Sequence, residues 1–288
     1  MFKNYLSMVK FSHTIFAMPF AFVGFFLGAK TFKPDFSGNT FLILAMVAAD
    51  MVFARNAAMG FNRYLDRNID AKNPRTAIRE IPSGKVSEKH ALLFVIINSI
   101  LFIATTYFIN RLVFFLSPVA LLVVLGYSYT KRYTWLCHLV LGLGLSLAPI
   151  GAYLAIVGSF ALLPLLFSFT VLFWTAGFDI IYALQDEEFD KNNKLKSIPV
   201  LLGTKNALRL SSLFHVLSAG FIIFAGFLGK AELGVWYWGG AVFFISLLIY
   251  QHLLVKPNDL SKVNLAFFTT NGIASLVFAC FTVFSMFF

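Results

Sequence analysis

Charged residues are scarce in this sequence. Only 12% of its 288 residues are charged, whereas 59% are hydrophobic and the mean hydropathy is +0.80. A water-soluble domain of this length cannot bury so much apolar surface in its core. The composition therefore excludes a soluble globular protein and predicts a chain whose solvent is the lipid bilayer.

Cysteine is almost absent as well. Cys137 and Cys280 are the only two, and they lie in apolar stretches at unrelated positions. Disulfide frameworks and cysteine-based zinc sites need several cysteines at regular spacings. We therefore expect two buried thiols with neither a disulfide nor a metal role. The five histidines share no spacing either, and packing roles are expected for them.

Long apolar stretches, in contrast, fill the chain. Nine of them have about 17 to 25 residues, the length that a helix needs to cross the hydrocarbon layer. They lie near residues 13–29, 40–62, 91–109, 112–128, 135–155, 161–184, 207–229, 235–254 and 264–286. This pattern predicts an all-α integral membrane protein with nine transmembrane helices, which form a single domain over residues 1–288.

The basic residues indicate the orientation of these helices. Of the 23 Lys and Arg residues, 18 fall in one set of alternate loops and 4 in the opposite set. Lys and Arg resist translocation, so the richer loops and the N-terminus are expected in the cytoplasm. The net charge of +10 thus reflects membrane topology, and no nucleic-acid partner is expected.

Most of the 13 acidic residues belong to the two longest cytoplasmic loops, where they form two stripes. The first stripe is Asn62, Asp66 and Asp70; the second is Asp186 and Asp190, with Asp179 two turns deeper. A spacing of four places such side chains on one face of a helix. The stripes are separated by four spans and similar Ile-Pro tails follow them, which indicates a weak four-helix repeat that builds one site between two halves.

Two acidic stripes at one membrane face repel each other unless a cation lies between them. Mg²⁺ suits this position because it takes oxygen ligands and bridges carboxylates to substrate phosphates. No Cys or His cluster in the sequence offers a site for a softer metal. The alternative is that the stripes are solvated helix ends paired with Arg63, Arg67 or Lys191.

The same face carries basic residues suited to a diphosphate. They are Arg75, Arg79, Lys131, Arg132, Lys194 and Lys196. Arginine offers a planar fork to phosphate oxygens, and lysine offers a point charge. Any one of them taken alone is also explained as a marker of the cytoplasmic side.

Arg55 is unusual because it lies within a predicted span, where a charge costs about 2.5 to 3.5 kcal/mol. It precedes Asn62 by seven residues, so it shares the face of the first stripe about 10 Å deeper. We expect it to meet an acidic group of a second substrate. Pairing with Asp50 or with helix carbonyls is the alternative.

Four motifs, in this order, are typical of one family. They are Asn62-x3-Asp66-x3-Asp70, Asn73-Pro-Arg-Thr, Arg79-Glu-Ile-Pro-Ser-Gly-Lys, and Asp186-x3-Asp190 before Lys196-Ser-Ile-Pro. Together they resemble the UbiA family of intramembrane aromatic prenyltransferases, over nearly the whole chain. The resemblance implies nine transmembrane helices around a central cavity. Arg63 departs from the family pattern, since many members have an acidic residue directly after the Asn.

The resemblance also implies roles for individual residues. The implied Mg²⁺ ligands are Asn62, Asp66, Asp70, Asp186 and Asp190, of which the four aspartates are the implied catalytic residues. The implied diphosphate ligands are Lys131 and Arg132, with Arg79 as a further candidate. The metal and these cations would stabilise the leaving diphosphate, so that the allylic C–O bond ionises. Arg55, Asp179, Tyr127 and Tyr182 are the expected substrate contacts in an apolar, aromatic cavity.

Two questions about function stay open at this point. The Phe11-Ser-His13-Thr segment and the run from Arg55 to Asn62 look most similar to bacterial members that prenylate 4-hydroxybenzoate, giving a ubiquinone precursor. A dihydroxynaphthoate acceptor, giving a menaquinone precursor, is the close alternative. A transporter with acidic coupling sites is a distant one. The expected location is the bacterial inner membrane, with the site on the cytoplasmic face.

Overall fold

The fold is built from α-helices. The computed structural model describes residues 2–9, 16–32 and 38–288, and these contain no β-strand. The helices are α1 (Phe2–Met8), α2 (Met18–Phe32), α3 (Gly38–Asp70), α4 (Glu88–Ile109), α5 (Arg111–Tyr133), α6 (Cys137–Val157), α7 (Leu162–Ala183), α8 (Glu187–Asn192), α9 (Ile198–Leu228), α10 (Trp236–Leu254) and α11 (Asn271–Phe287). A 3₁₀ turn (Leu184–Asp186) precedes α8, and a π-helical turn (Leu265–Thr270) precedes α11.

The membrane fold class is confirmed. Eight helical segments of the described residues are long and apolar enough to span a membrane, and they correspond to the second to ninth predicted spans. The first predicted span corresponds to α2, an apolar helix of only 15 residues. The start of that span, residues 13–15, lies outside the described residues. The count of nine spans is therefore not confirmed.

The helices follow the same packing order in two halves. In the first half α3, α4, α5 and α6 pack each against the next, and α7, α9, α10 and α11 do so in the second. Contacts of α6 with α7, and of α2 with both α6 and α11, join the halves. This order agrees with the predicted four-helix repeat.

Close helix contact at the junction of the halves depends on glycine. A Cβ atom on Gly24 of α2 would lie 1.9 Å from the backbone oxygen of Pro149 on α6. The neighbouring Phe20 is fully buried and packs against Trp174 and Phe278, at ring-centroid distances of 5.5 Å each. Small residues allow membrane helices to approach closely enough for such packing.

The helix that carries the first stripe extends beyond the predicted span. α3 has 33 residues, which corresponds to about 50 Å and exceeds the thickness of the hydrocarbon core. Its last eight residues, after Asn62, carry Asp66 and Asp70 beyond the end of the predicted span.

The second half differs from the prediction in two places. The second stripe is not on one continuous α-helix, because α7 ends at Ala183 and a 3₁₀ turn leads into α8. The next helix begins at Ile198 and not near residue 207. Pro199 favours a helix start there, and Gly203 adopts a positive φ of 72° at a kink that separates this first turn from the span.

Both cysteines are free, but one prediction about them was wrong. Cys280 is exposed on α11, whereas Cys137 is partly buried. An apolar residue on a membrane helix need not be buried in the protein, because the outer surface of the bundle faces lipid.

Candidate active site

The first stripe lies on one face of α3, as predicted. Asn62 donates a hydrogen bond from Nδ2 to Oδ2 of Asp66, at 3.2 Å, one turn further along the helix. Asp66 and Asp70 are both buried, with 2% and 3% of their surfaces exposed. Buried carboxylates of this kind need cationic or hydrogen-bonding partners.

The last turn of α5 supplies the partners of Asp66. Arg132 donates from Nη2 to Asp66 Oδ1 at 2.7 Å, and Lys131 Nζ lies 3.7 Å from Oδ2. Arg132 also donates to the backbone oxygen of Leu65, at 3.2 Å. The end of a helix favours cations, so this pair of basic residues is well placed beside the stripe.

The loop between α3 and α4 supplies the partner of Asp70. Arg79 donates from Nη1 to Asp70 Oδ1 at 2.7 Å, and Thr76 donates to the backbone oxygen of Asp70 at 3.0 Å. The other carboxylate oxygen, Oδ2, is buried and has no hydrogen-bond partner in the described part of the chain. This oxygen is open to a further ligand.

Asp186 joins the two halves of the protein. Its Oδ1 accepts hydrogen bonds from Asn73 Nδ2 at 3.1 Å and from Arg75 Nε at 3.0 Å, and Arg75 Nη2 pairs with its Oδ2. Burial disfavours the charged form of Arg75, but the hydrogen bond and charge of Asp186 outweigh it and raise the pKa of the guanidinium. Arg75 therefore stays cationic. Asp190, the other acid of the stripe, is buried.

The stripes do not pair with their sequence neighbours in the described residues, so that alternative was wrong. Arg67 pairs with Glu88 at 2.9 Å, Arg63 donates to the backbone oxygen of Met8 at 3.4 Å, and Lys191 is exposed. Lys194 is also exposed, and Lys196 donates to the backbone oxygen of Tyr133, the last residue of α5, at 2.9 Å. Of the six candidate cations, the structure brings Arg75, Arg79, Lys131 and Arg132 to the stripes.

Arg55 lines a cavity of about 320 Å³ inside the membrane region. Apart from Ala17 and Phe160, the cavity wall comes from α3 to α6, and it is almost entirely apolar. Tyr127 lies near enough to interact electrostatically with Arg55. No ion pair joins Arg55 to Asp50 in the described residues, and the Nε of Arg55 is buried without a partner.

Tyr182 lies in an aromatic group that the sequence analysis missed. Its ring stacks on Phe267 at a centroid distance of 4.1 Å and meets Phe268 at 5.9 Å, while its hydroxyl accepts from Arg75 Nη1 at 2.9 Å. Both phenylalanines belong to the π-helical turn before α11, a feature that is frequent at functional sites. In a sequence with 36 Phe residues, nothing distinguishes these two.

His138 is a second residue that sequence reasoning missed, because a packing role was expected for it. This buried histidine of α6 makes a hydrogen bond from Nδ1 to Oδ2 of Asp179 at 2.7 Å. Asp179 lies on α7, seven residues before Asp186. His138 and Asp179 are 41 positions apart, so no local sequence pattern predicts their contact.

Comparison with known proteins identifies the family of this chain. The UbiA prenyltransferase family matches residues 17–273 of the chain. The 4-hydroxybenzoate octaprenyltransferase of Tolumonas auensis is 30% identical over 241 residues, which are 83% of each chain. The enzyme of the same name from Aliivibrio fischeri ES114 is 33% identical over 245 residues, 82% of each chain.

Solved structures share the fold. The apo UbiA homologue of Aeropyrum pernix K1 is 31% identical, with a TM-score of 0.83 over 95% of this chain and 98% of that one. A UbiA homologue of Archaeoglobus fulgidus, solved bound to GPP and Mg²⁺, is 22% identical, with a TM-score of 0.71 over 98% and 99%. The second likeness establishes the fold alone. With its helical membrane fold and a family match over residues 17–273, this chain belongs to the UbiA prenyltransferase family and is a prenyltransferase.

Proposed function

We propose that this prenyltransferase transfers a polyprenyl group from its diphosphate to 4-hydroxybenzoate, in a reaction that needs Mg²⁺. The observation that carries the proposal is the pairing of both acidic stripes with arginine and lysine from other elements. Acids that bind a metal and cations that bind phosphate thus share one site. The names of the bacterial relatives support the choice of acceptor.

The chemistry of the stripes fits Mg²⁺. Their side chains offer only oxygen ligands, which this ion prefers, and the buried Oδ2 of Asp70 has no partner in the described residues. The residues that would hold the metal are Asn62, Asp66, Asp70, Asp186 and Asp190. Bound Mg²⁺ would supply positive charge to the leaving diphosphate.

The basic residues would act on the same leaving group. Arg79, Lys131 and Arg132 already contact stripe carboxylates, so a diphosphate between the stripes would lie within their reach. Arg75 bridges to the second stripe in the same way. Their charges would stabilise the negative charge that develops as the allylic C–O bond breaks.

The decisive experiment is product identification. Membranes containing the protein, Mg²⁺ and a polyprenyl diphosphate are incubated with each candidate acceptor, and the products are analysed by mass spectrometry. We expect prenylated 4-hydroxybenzoate. A product formed only from a dihydroxynaphthoate would move the enzyme to the menaquinone route, and a lack of product with either acceptor would refute the proposal.

Arg55 would bind the carboxylate of the acceptor. In an apolar cavity, a partly exposed guanidinium that has no carboxylate partner in the described residues is complementary to an aromatic acid. Arg55→Leu is therefore expected to raise the acceptor KM by about tenfold or more, with little change in the KM for the prenyl donor, because only one substrate loses a binding contact. Steady-state kinetics with each substrate varied in turn would measure this.

Arg111→Leu is the matched control for Arg55, because it removes an arginine from the exposed start of α5. Its kinetics are expected to match those of the wild type. An increase in the donor KM of Arg55→Leu would instead assign Arg55 to the diphosphate site.

We further propose that the site faces the cytoplasm in the inner membrane. The excess of Lys and Arg in the loops at this face supports the orientation. A reporter fused after Lys72 is expected to be inaccessible from the periplasm, and labelling from that side would reverse the topology.

A further inference from the structure

We propose that Asp179 accepts the proton released by the aromatic ring during prenyl transfer, and that His138 is a positioning residue that orients Asp179 for this step. This inference rests on the proposed function. It starts from the hydrogen bond between buried His138 on α6 and partly exposed Asp179 on α7.

The hydrogen bonds of His138 determine which nitrogen carries its proton. Nε2 lies 3.3 Å from the backbone N–H of Ile198, and Nδ1 lies 2.7 Å from Oδ2 of Asp179. A backbone N–H can only donate, so Nε2 must accept and the proton must reside on Nδ1. His138 is therefore a donor to Asp179, and its ring is fixed from both ends.

The same contacts leave one oxygen of Asp179 available. Oδ2 is occupied by His138, whereas Oδ1 has no hydrogen-bond partner among the described residues. The side chain of Asp179 is 22% exposed, compared with 3% for His138. The side chain of Asp179 is thus partly accessible while His138 holds its Oδ2.

The location of Asp179 suits an aromatic acid. Asp179 is held by His138, which lies one turn before Leu141 on α6. Leu141 lines the same cavity as Arg55 and Tyr127. An acceptor whose carboxylate binds Arg55 would have its ring beside Tyr127. Asp179 is on α7, outside the cavity wall, and would reach the ring from the end of the cavity at His138.

The reaction releases one proton from the aromatic ring. The ring carbon bonds to C1 of the prenyl group, the C1–O bond breaks, and its electron pair leaves with the diphosphate. The same ring carbon must then lose its hydrogen as a proton, and the electron pair of that C–H bond restores the aromatic ring. We assign that proton to Oδ1 of Asp179, from which it returns to solvent.

His138 cannot take this proton in the observed arrangement. Its Nδ1 already carries a hydrogen, and its Nε2 lone pair is used by Ile198. Its role is instead to hold the carboxylate in one orientation, as partners behind a functional group commonly do.

A purely structural role is the competing explanation, because His138 also anchors the start of α9. The loop between α8 and α9 is also held by two hydrogen bonds that do not involve His138. Lys196 N–H donates to the backbone oxygen of Lys131 at 2.7 Å, and the Cys137 thiol donates to the backbone oxygen of Lys196 at 3.5 Å. Variants must therefore separate the bond to Asp179 from the bond to Ile198.

Two amide substitutions make this separation. The amide of Asn overlays Nδ1 of histidine, so His138→Asn keeps a donor for Asp179 and loses the acceptor for Ile198. The amide of Gln overlays Nε2, so His138→Gln keeps the contact with Ile198 and loses the one with Asp179. Cys137→Ala is the matched control, because it removes an anchor of the α9 loop without touching Asp179.

The experiment measures kcat, both KM values and the isotope effect with ring-deuterated 4-hydroxybenzoate. We expect Asp179→Asn to lower kcat by about 10²- to 10⁴-fold and His138→Gln by about 10- to 100-fold. Both should increase the isotope effect on kcat, because proton removal becomes slower. His138→Asn should keep a clearly higher kcat than His138→Gln, and the double variant Asp179→Asn/His138→Gln should be no slower than Asp179→Asn alone.

Three outcomes would overturn the inference. They are an active Asp179→Asn variant, an unchanged isotope effect in the slow variants, and a His138→Asn variant as slow as His138→Gln. If His138→Gln does not accumulate in the membrane, Asp179→Asn and its isotope effect decide alone. A wild-type protein that prenylates no aromatic acid would instead refute the proposed function, so the two failures are distinguishable.

Discussion

Asp66→Asn and Asp190→Asn are each expected to lower turnover by roughly 10²- to 10³-fold, the loss typical when one electrostatic contact to a transition state is removed. Asp66 belongs to the first stripe and Asp190 to the second, and each stripe alone has too few ligands to enclose Mg²⁺. The ion prefers to complete its shell with phosphate oxygens and water. The two stripes should therefore function only together, with metal and donor binding interdependently.

The double variant Asp66→Asn/Asp190→Asn tests this dependence. Groups that act as one unit are non-additive, so it should cost far less than the product of the two single losses. Product formation is measured across a range of Mg²⁺ concentrations for both single variants and the double. Full activity of either single variant, or turnover that persists with a chelator, would show that the stripes do not hold a catalytic Mg²⁺.

Glu88→Gln is the matched control for these variants. Glu88 is also an acid at this face that pairs with an arginine, Arg67, but it is 57% exposed and outside the stripes. It should keep wild-type turnover. Membrane abundance of Asp66→Asn and Asp190→Asn should also be nearly unchanged, because each substitution keeps the shape and one oxygen of the side chain. At position 66 that oxygen can still accept the hydrogen bond from Arg132.

Gly24→Ala is expected to have the largest effect on stability. The added Cβ would lie 1.9 Å from the backbone oxygen of Pro149, and a backbone atom cannot turn aside as a side chain can. Helices α2 and α6 must separate, which disturbs the buried group around Phe20 and Trp174. We expect a loss of about 3 kcal/mol or more in the free energy of unfolding.

Gly220→Ala is the control for this substitution. Gly220 lies in α9, where a Cβ would meet no atom within 4 Å, so alanine should be neutral or slightly stabilising through its higher helix propensity. Thermal unfolding in detergent, followed by loss of the monodisperse peak in size-exclusion chromatography, compares the two. Equal unfolding midpoints for the two variants would show that α2 and α6 can move apart at this contact without loss of stability.

Much of the fold follows from the sequence because the bilayer imposes strong constraints. Backbone groups in hydrocarbon must bond within the segment, so apolar stretches of sufficient length become helices. The second to ninth predicted spans each correspond to a helix for this reason. The first predicted span, near residues 13–29, agrees less well, because the corresponding helix α2 begins at Met18, ends at Phe32 and has only 15 residues.

Helical periodicity also placed the first stripe. Asn62, Asp66 and Asp70 recur every four residues on a continuous helix, so their common face could be predicted. The second stripe could be predicted less well. The spacing from Asp186 to Asp190 does not reveal that α7 ends at Ala183 and a 3₁₀ turn intervenes.

The sequence by itself therefore determined the membrane class, the helical segments and the residue types of the site. Only the tertiary structure decided which acid meets which cation, as with Asp66 and Arg132, and that His138 contacts Asp179. Periodicity fixes the face of a helix that a residue occupies. It does not fix how that helix is rotated, shifted and inclined against its neighbours, and contacts between distant residues depend on those quantities.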